Sequence, residues 1–352
     1  MTPLGNLLIR RIHANGPITL ADYMAECLFH PVHGYYISRE PFGAQGDFIT
    51  APEISQMFGE MLGLCLAQSW LDQGAPARFT LAELGPGRGT LMADVLRATR
   101  GVPGFHAAMQ VLLVEASPRL RSIQQAALKG YAATWLDNAA QLPDAPLFLL
   151  ANEFFDALPI RQFTRHGQAW AETVVGVADG ALTLGRATPI PLGLLAHRLG
   201  DTADGDVVEH CPAAAAIMQR IGHLVATQGG GALIVDYGAW QGHGDTFQAL
   251  RRHGIANPLA APGKADLTAH VDFAALAAAA HPARATLTSQ GAFLTALGIE
   301  TRASALAKHL QGDDLHNHYA ASHRLTAPAE MGQLFKVLAL SPPNHPPLPG
   351  TA

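Results

Sequence analysis

The stretch LAELGPGRGTL (residues 81–91) joins a run of apolar residues to a helical pattern through a glycine-rich loop. Gly85, Gly87 and Gly89 occupy alternate positions in it, and Glu83 stands just ahead of them. A loop between a buried strand and a helix brings backbone N–H groups and the positive end of the helix to one place. The stretch therefore predicts that a nucleotide-type ligand binds at the start of this helix.

The spacing of the glycines separates the nucleotide ligands from one another. A dinucleotide fingerprint requires GxGxxG, but Thr90 stands where the third glycine would be. A P-loop requires GxxxxGK, and a kinase loop requires VAIK-type and HRD segments; the sequence contains neither pattern. The form that remains is an acid followed by three alternating glycines. It suits a ligand without phosphate, whose amino-acid part lies on bare backbone and donates from its ammonium group to Glu83.

Strand and helix patterns alternate around this loop. FTLAELG, MQVLLVEA, AATWL and LFLLANEFF have the character of strands, and TLMADVLRATR and SPRLRSIQQAALKG have that of helices. Near-continuous apolar strands separated by helices are typical of a parallel sheet that is covered on both faces. The sequence therefore predicts an α/β fold for this part of the chain.

Acidic residues follow the next two strands of the predicted sheet. Glu115 closes MQVLLVEA, and Asp137 comes just after AATWL. Ligands of open parallel sheets bind at the carboxyl ends of the strands, where these acids and Glu83 would meet. Glu115 is placed to accept from two ribose hydroxyls and Asp137 from an adenine amino group. Together with the glycine loop, they predict a pocket for S-adenosylmethionine (SAM) in a Rossmann-like class I methyltransferase sheet.

Changes in pattern divide the chain into regions. The segment RQFTRHGQAWAETVVGVADGALTLGRA alternates with a period of two around Asp179-Gly180, which predicts a β-hairpin. We expect a helical N-terminal region and an inserted substrate-binding α+β region beside the sheet. The predicted boundaries are 1–74 for the N-terminal region, 75–156 for the first part of the core, 157–228 for the insertion, 229–340 for the rest of the core with an irregular stretch at 239–271, and 341–352 for a disordered tail.

The segment LLANEFFDALPIRQF (residues 149–163) places polar groups at the end of the fourth strand, on the side expected for the methyl acceptor. Asn152, Glu153 and Asp156 lie within five positions and flank a pair of phenylalanines, as in a cup that holds a cation. A carboxylate can grip a guanidinium group through two hydrogen bonds. The alternative interpretation is a simple turn or helix cap, which also uses these residue types.

Three further residues are candidates for the walls of the pocket. Asp236 and Tyr237 end the strand LIVDYG at the same edge of the sheet, and Glu209 lies in the insertion, either at the pocket or as a surface acid. No metal site is predicted. The segment HNHYAASH has no clear set of ligands, since histidines two positions apart do not share a helix face.

Composition limits the class of protein. The net charge of −5 argues against a nucleic-acid partner, and three widely separated cysteines (Cys27, Cys65 and Cys211) exclude a disulfide framework. No stretch approaches the ~20 apolar residues of a membrane span. The N-terminus MTPLGNLLIRRIHANG lacks the order of a signal peptide, and no transit segment precedes the first motif. We therefore expect a soluble protein of the bacterial cytoplasm.

Several of these segments together resemble a known family. The segments are GDFITAPEISQMFGE, ELGPGRGTLMADVLR, VEASPRLRSIQ, ANEFFDALPIRQF, IVDYG and MGQLFKV. They are similar to the MidA-like family, which comprises the mitochondrial complex I assembly-factor protein-arginine methyltransferase and its bacterial relatives. The resemblance runs from about residue 4 to 340. It implies a class I SAM-dependent methyltransferase that symmetrically dimethylates an arginine in the 49-kDa-type subunit of complex I and supports assembly.

The resemblance also implies roles for individual residues. The family's SAM motif falls on Gly85, Gly87 and Gly89, with Glu115 at the ribose position, and its second signature falls on Asn152, Glu153 and Asp156. Its N-terminal signature falls on Phe48, Thr50 and Glu53, which are implied to help close the pocket. The catalytic roles of the second group are inferred from their chemistry alone.

The leading hypothesis is thus a SAM-dependent protein-arginine methyltransferase with a protein substrate. Two alternatives stay open at this point. One is a SAM-binding assembly chaperone with little turnover, which recognises its partner through the insertion, and the other is a small-molecule methyltransferase. Apolar residues on the N-terminal helices suit either a core or an interface, so a homodimer also stays open.

Overall fold

The chain is divided into two compact units in the computed structural model, which describes residues 2–38, 50–251 and 254–351. Each unit is built from three separate stretches of chain. The first unit comprises Met1–Phe48, Asp156–Ala214 and Gln241–Val271, and the second unit comprises Ile49–Phe155, Ala215–Trp240 and Asp272–Ala352.

Strands and helices are numbered here in chain order over the described residues. The strands are β1 (Ile18–Thr19), β2 (Phe79–Leu84), β3 (Met109–Val114), β4 (Ala133–Leu136), β5 (Leu147–Asn152), β6 (Arg161–His166), β7 (Ala169–Ala178), β8 (Ala181–Arg186), β9 (Val207–His210), β10 (Gly230–Ala239), β11 (Gln248–Arg251), β12 (Gly254–Ala256), β13 (Asp266–Thr268), β14 (Val271–Asp272), β15 (Arg284–Ser289) and β16 (Phe335–Ser341). The helices are α1 (Pro3–Asn15), α2 (Leu20–Phe29), α3 (Tyr35–Ser38), α4 (Ala51–Ile54), α5 (Gln56–Asp72), α6 (Thr90–Thr99), α7 (Phe105–Ala108), α8 (Pro118–Ala127), α9 (Pro212–Gln228), α10 (Phe273–Ala279), α11 (Gln290–Ala296), α12 (Ile299–Ala307) and α13 (Gly312–Thr326). Short 3₁₀ turns at Ala139–Gln141 and Gly193–Gly200 and a π turn at Pro328–Gly332 complete the set.

The second unit contains the sheet that the apolar strands predict. Its strand order is β15-β16-β10-β5-β2-β3-β4. The strands β10, β5, β2, β3 and β4 run parallel, whereas β16 and β15 are antiparallel to their neighbours. Every residue of β2 is buried, which explains why this strand is an unbroken apolar run apart from Thr80 and Glu83. The parallel α/β sheet expected from the sequence is therefore present, with the glycine loop at the carboxyl end of a central strand.

Two glycines allow the helix before this sheet to approach the helix after the glycine loop. A Cβ atom on Gly59 of α5 would lie 2.7 Å from the Cβ of Asp94, and one on Gly63 would lie 3.0 Å from the Cα of Val95. Both partners belong to α6. A larger side chain at either position would push α6, and with it the end of the glycine loop, away from α5. The spacing of four residues puts both glycines on one face of α5.

Between these glycines, Glu60 lies buried and binds two arginines. Arg97 of α6 donates to Glu60 Oε1 at 2.8 Å, and Arg302 of α12 donates to Glu60 Oε2 at 2.7 Å. Burial alone would raise the pKa of Glu60, but the hydrogen bonds from Arg302 and Arg97 outweigh it, and the pKa lies below its ordinary value. The Glu60 carboxylate therefore ties three helices of the second unit together in its charged form.

Replacing Glu60 with glutamine is expected to lower the free energy of unfolding by about 1–2 kcal/mol near neutral pH, because two hydrogen bonds to a charge are weakened. The folded protein lowers the pKa of the Glu60 carboxyl. The contribution of Glu60 to the free energy of unfolding is therefore present above the unfolded-state pKa and is lost as pH falls through the folded-state pKa. Urea unfolding at about pH 7 and about pH 3 should therefore show a difference that shrinks in acid. Glu300→Gln, an exposed position on α12, is the control and should change little at either pH.

The first unit holds an antiparallel sheet in the order β1-β7-β6-β9, with β8 paired to β7. The hairpin predicted at Asp179-Gly180 is confirmed, because Ala178 of β7 faces Ala181 of β8. Asp179 and Gly180 both have positive φ (49° and 74°), as a tight hairpin turn of the primed type requires. A smaller sheet, β12-β11-β13, and the helices α1 and α2 belong to the same unit.

The structure differs from the sequence interpretation at both ends of the chain. Residues 1–48 belong to the first unit and 49–74 to the second, because the buried face of α1 and α2 packs with Val175 of β7 whereas α5 packs on α6. Residues 342–351, where proline content predicts a disordered tail, carry the buried Leu348, and the Cys65 thiol donates to Pro349 O at 3.3 Å. Thr351 of this segment is also buried, so the segment is packed on the second unit instead of being disordered. Within the described ranges, no helix has the length and apolar character needed to span a membrane.

Candidate active site

The glycine loop follows β2 directly and leads into α6. Gly85, Gly87 and Gly89 have φ values of 58°, 55° and 83°, so the loop lies three times in the left-handed region that side chains disfavour. The Gly85 N–H donates to Val114 O at 3.0 Å, which ties the loop to the end of β3. A Cβ atom on Gly85 would lie only 2.8 Å from the ring carbon Cδ2 of Phe154. The alternating glycines are thus required both by the backbone and by the segment that follows β5.

Glu83 lies beneath this loop with 2% of its surface exposed. The Met92 N–H in the first turn of α6 donates to the Glu83 carboxylate. The N-cap residue of α6 is Gly89, which has no side chain to accept from this N–H. Its other oxygen, Oε2, has no hydrogen-bond partner among the described residues. Burial raises the pKa of Glu83 to about 8. One carboxylate oxygen therefore caps α6, while the second is a buried acceptor next to the glycine loop.

Replacing Glu83 with glutamine is expected to stabilise the ligand-free protein in mild alkali. The raised pKa means that the folded protein favours the neutral carboxyl of Glu83. The contribution of Glu83 to the free energy of unfolding is therefore fully present below the unfolded-state pKa and is lost as pH rises through about 8. Glutamine keeps an acceptor for Met92 N–H but cannot ionise. Chemical denaturation at about pH 5 and about pH 9 should give similar stabilities in acid and a more stable variant in alkali. A variant that is less stable than wild type at the higher pH would contradict this account of Glu83.

Glu115 lies just past the end of β3, nearly buried. Its Oε1 accepts from Ser117 N at 2.7 Å and its Oε2 from Gln124 Nε2 at 3.1 Å. Burial raises the pKa of Glu115, while the hydrogen bonds from Ser117 and Gln124 and the charge of Arg121 act against that rise. The predicted ribose acceptor is therefore a carboxylate already held in a fixed orientation. Gln124, which holds it, was not among the residues selected from the sequence.

Asp137 follows β4 and has a largely exposed side chain. It accepts from Arg121 Nη2 at 2.6 Å, and the Nε of the same arginine donates to Glu115 O at 2.7 Å. Arg121 thus joins the carboxyl ends of β3 and β4. An adenine amino group that binds Asp137 would have to share its carboxylate with Arg121. The contact of Asp137 with adenine stays a prediction.

Asn152 and Glu153 meet at the end of β5. Asn152 Nδ2 donates to Glu153 Oε1 at 3.1 Å, and the Ala51 N–H donates to the same oxygen at 3.3 Å. Glu153 has a φ of 49°, rare for a residue with a side chain, which costs on the order of 1–3 kcal/mol and is typical of functional sites. Its backbone N–H donates to Val235 O at 2.9 Å. Glu153 thus combines an unfavourable backbone conformation with a carboxylate that is fixed in one place.

Asp236 supports the same turn from β10. It is fully buried, and its Oδ2 accepts from Phe155 N at 3.0 Å while Oδ1 accepts from Tyr237 N at 2.9 Å. The Tyr237 ring lies edge-on to Phe335, with ring centroids 5.6 Å apart. Of the two residues predicted to shape the pocket floor, Asp236 therefore braces the segment that carries Glu153, whereas the Tyr237 ring packs on β16.

Asp156 and Glu209 belong to the first unit. The Asp156 backbone oxygen accepts from Ala269 N at 3.0 Å. Burial first, and then the charges of Asp266 and Asp156, raise the pKa of Tyr36 in the same unit. Asp156 is thus near a second acid and a tyrosine, an association that sequence spacing could not reveal.

Glu209 has its own partners within the first unit. Its carboxylate accepts from Gln162 Nε2 and from Thr246 N, both at 3.0 Å, and also from the Thr246 hydroxyl. Burial raises its pKa, and these hydrogen bonds oppose the rise. The interpretation of Glu209 as an exposed surface acid is therefore wrong, because the carboxylate links β6 to the segment before β11.

The N-terminal signature reaches the glycine loop through Glu53. Thr90 Oγ1 donates to Glu53 Oε1 at 2.6 Å, and Arg88 Nη1 lies 3.8 Å from Glu53 Oε2. Thr90 is the residue that replaces the third glycine of a dinucleotide fingerprint, and this hydrogen bond gives its hydroxyl a role. Thr50 occupies the N-cap position of α4 and is buried, whereas Phe48 lies outside the described residues. Among the described residues, no group of histidines, cysteines and acids is arranged to hold a metal ion.

A known family and several known relatives match this chain over most of its length. A family model for an S-adenosyl-L-methionine-dependent methyltransferase matches residues 61–292. The mitochondrial protein arginine methyltransferases NDUFAF7 of Bos taurus and Homo sapiens are each 35% identical, over 97% of this chain and 84% of theirs. The Drosophila melanogaster homolog is also 35% identical, over 96% of this chain and 85% of its own.

Solved structures give the same result. A superfamily member from Burkholderia thailandensis bound to S-adenosyl-homocysteine (SAH) has a TM-score of 0.85 and 30% identity, covering 99% of this chain and 94% of its own. A native structure of such a protein from the same organism has a TM-score of 0.80. The predicted cofactor, SAM, the Rossmann-like class I methyltransferase fold and the resemblance to the MidA-like family are thereby confirmed.

The predicted location is wrong. The sequence was interpreted as that of a bacterial cytoplasmic protein, but the NDUFAF7 relatives are named as mitochondrial proteins.

Proposed function

This chain belongs to the S-adenosyl-L-methionine-dependent methyltransferase family, and from that premise we propose that it methylates an arginine of a protein substrate. The observation that carries the proposal is Glu153 at the end of β5. Its backbone has a positive φ, and its carboxylate accepts two hydrogen bonds that fix its position. The names of the NDUFAF7 relatives support arginine as the acceptor.

The residues around the glycine loop fit SAM. Gly85, Gly87 and Gly89 would take the amino-acid part, because their bare backbone leaves room for it. The buried Oε2 of Glu83, which has no partner among the described residues, would accept from its ammonium group. Glu115 would accept from the ribose hydroxyls, and Asp137 would lie towards the adenine. When bound, SAM supplies an electrophilic methyl group on a positively charged sulfur.

The acceptor side would orient a guanidinium group. Arginine keeps its proton in proteins, so removal of that proton before transfer is not what the site has to provide. The Glu153 carboxylate would instead hold the guanidinium so that one nitrogen faces the methyl group. The nitrogen releases one proton after it is methylated, and the Glu153 carboxylate is an acceptor for it. Asn152 fixes the carboxylate through its 3.1 Å hydrogen bond. Asp156 of the first unit is proposed as a further catalytic acid.

The predicted insertion at 157–228 is divided between the two units, because most of α9 belongs to the second, and the part at 157–214 is proposed to recognise the protein substrate. It contains β6 to β9 and exposes three large apolar side chains, on Leu184, Ile190 and Leu194. Thr50 and Glu53, together with Phe48, are proposed to help close the pocket, which agrees with the hydrogen bond from Thr90 to Glu53.

We further propose symmetric dimethylation of an arginine in the 49-kDa-type subunit of complex I, in support of its assembly. The test is to incubate the purified protein with SAM labelled on its methyl group and the recombinant subunit. Label in the subunit, recovered as symmetric dimethylarginine after hydrolysis, is the expected result. Monomethylarginine as the final product would contradict the symmetric dimethylation.

The same experiment distinguishes the other functions. Label that enters only small molecules of a cell extract would indicate a small-molecule methyltransferase. SAH binding without transfer to the subunit or to the extract would indicate an assembly chaperone. A companion assay with a subunit whose arginines near the modified position are changed to lysine would confirm that the acceptor is a guanidinium group, because lysine lacks the planar pair of donors.

A further inference from the structure

Gln124 is a fully buried glutamine on α8 that connects three elements of the cofactor side. Its Nε2 donates to Gly87 O at 2.9 Å and to Glu115 Oε2 at 3.1 Å. Its Oε1 accepts from Trp135 Nε1 of β4 at 2.7 Å. The side chain therefore joins the glycine loop, the end of β3 and β4 through a single amide group.

The chemistry of the partners allows only one orientation of this amide. A backbone carbonyl and a carboxylate can only accept, and the indole N–H can only donate. A flipped amide would set its oxygen against two acceptors and its NH₂ against a donor. A carboxylate at this position would face Glu115 with like charge. An apolar side chain would leave the buried Glu115 carboxylate and the half-buried Gly87 carbonyl and Trp135 N–H without this partner.

The backbone of α8 also lies against the loop. A Cβ atom on Gly89 would lie 3.4 Å from both the Cα of Gln124 and the Cβ of Ala127. Gly87 is thus held through its carbonyl by the side chain of Gln124, while Gly89 packs on the helix from which that side chain projects. The loop and α8 form one packed assembly within the second unit.

We infer that Gln124 is a positioning residue, which fixes the Gly87 carbonyl and the Glu115 carboxylate relative to each other so that the two ends of SAM can bind at once. The inference rests on the proposed placement of the amino-acid part on the loop and of the ribose at Glu115. Gln124 acts through its hydrogen-bond partners. It prepares the site before the ligand arrives, which reduces the ordering that binding would otherwise require.

The direct test is SAH binding by isothermal titration calorimetry to the Gln124→Leu variant. Leucine fills a similar volume but loses both donated hydrogen bonds, so the Kd is expected to rise about tenfold. Gln290→Leu is the matched control. Gln290 is also fully buried in the second unit and donates one hydrogen bond, to Leu325 O at 2.8 Å. An equal loss of affinity in both variants would overturn the inference, since it would reflect loss of packing alone.

The pH profile of binding separates positioning from a general structural defect. Besides Gln124, the groups that face the Glu115 carboxylate among the described residues are the Ser117 and Ala116 N–H groups and the charge of Arg121, which is itself paired with Asp137. Loss of the Gln124 donor should let burial raise the pKa of Glu115 further. SAH affinity in Gln124→Leu should therefore begin to fall at a higher pH than in wild type as the solution is acidified. A loss of affinity that is the same at every pH would overturn the inference.

Two more variants keep the outcome decisive. Trp135→Phe keeps most of the ring but removes the donor that orients the amide, and about a twofold to threefold rise in Kd with the same direction of pH shift is expected. This variant decides the matter if Gln124→Leu does not fold, and unchanged binding would overturn the inference. Glu115→Gln tests the placement itself. If Glu115→Gln binds SAH as wild type does, the assignment of Glu115 to the ribose fails. If Glu115→Gln binds SAH weakly but Gln124→Leu binds it normally, only the role of Gln124 is refuted.

Discussion

Gly85→Ala is expected to raise the Kd for SAH at least about 10²-fold while leaving the second unit folded. An alanine at φ 58° costs about 1–2 kcal/mol, and its Cβ would lie 2.8 Å from the Phe154 ring, an overpacking that costs about 1–3 kcal/mol. The loop can relieve both the backbone strain and the steric overlap by moving. SAH binding then has to restore the original loop conformation, which lowers the affinity by that free energy. About 3 kcal/mol corresponds to about 10²-fold in Kd.

Gly130→Ala is the matched control for this prediction. Gly130 also has a positive φ, 98°, but a Cβ there would meet nothing within 4 Å, and it lies beyond α8. Calorimetric titration with SAH should give nearly wild-type affinity for Gly130→Ala at a somewhat lower melting temperature. Normal SAH binding by Gly85→Ala would show that the cofactor does not lie on this loop.

Glu153→Gln is expected to slow methyl transfer at least about 10²-fold at saturating SAM, with the Kd for SAH changed less than about twofold. Glutamine keeps an oxygen that can accept from Ala51 N–H and from Asn152 Nδ2, so the turn should keep its shape. Only the negative charge is removed. The guanidinium would lose its charged partner and its alignment with the methyl group.

The rate is measured as initial transfer of labelled methyl to the recombinant subunit, with Glu300→Gln as a control for the loss of one carboxylate elsewhere in the second unit. Glu300 is exposed on α12, so its replacement should leave both constants unchanged. Undiminished transfer by Glu153→Gln would remove this residue from the acceptor site. A large rise in the Kd for SAH would place it on the cofactor side instead.

Much of the second unit can be predicted from the sequence because its signals are local. A fully buried parallel strand such as β2 must be apolar on both faces, so it appears as a continuous run. Left-handed backbone at Gly85, Gly87 and Gly89 leaves its trace directly as glycine. The hairpin at Asp179-Gly180 is likewise a local property, since the turn type selects its residues.

Contacts between distant side chains are a different matter. Gln124 is a polar residue on an amphipathic helix, and nothing local distinguishes it from an exposed glutamine until β3, β4 and the loop surround it. The hydrogen bond from Thr90 to Glu53 joins residues that are 37 positions apart. The sequence predicts Asp137 as an acceptor for adenine but gives no sign of its ion pair with Arg121. Such partners depend on tertiary packing, which one sequence does not encode in any short window.

The interleaving of the two units has a consequence for how the protein is made. The glycine loop leaves the ribosome early, at residues 85–89, but β10 and β16 of the same sheet are synthesised only at residues 230–239 and 335–341. The central strand β5 therefore lacks its neighbour β10 while residues 156–214 of the first unit are being translated. Apolar strands with open edges are prone to aggregate in that interval. The nascent chain should accordingly depend on chaperones more than a protein of the same size whose two units follow one another along the chain.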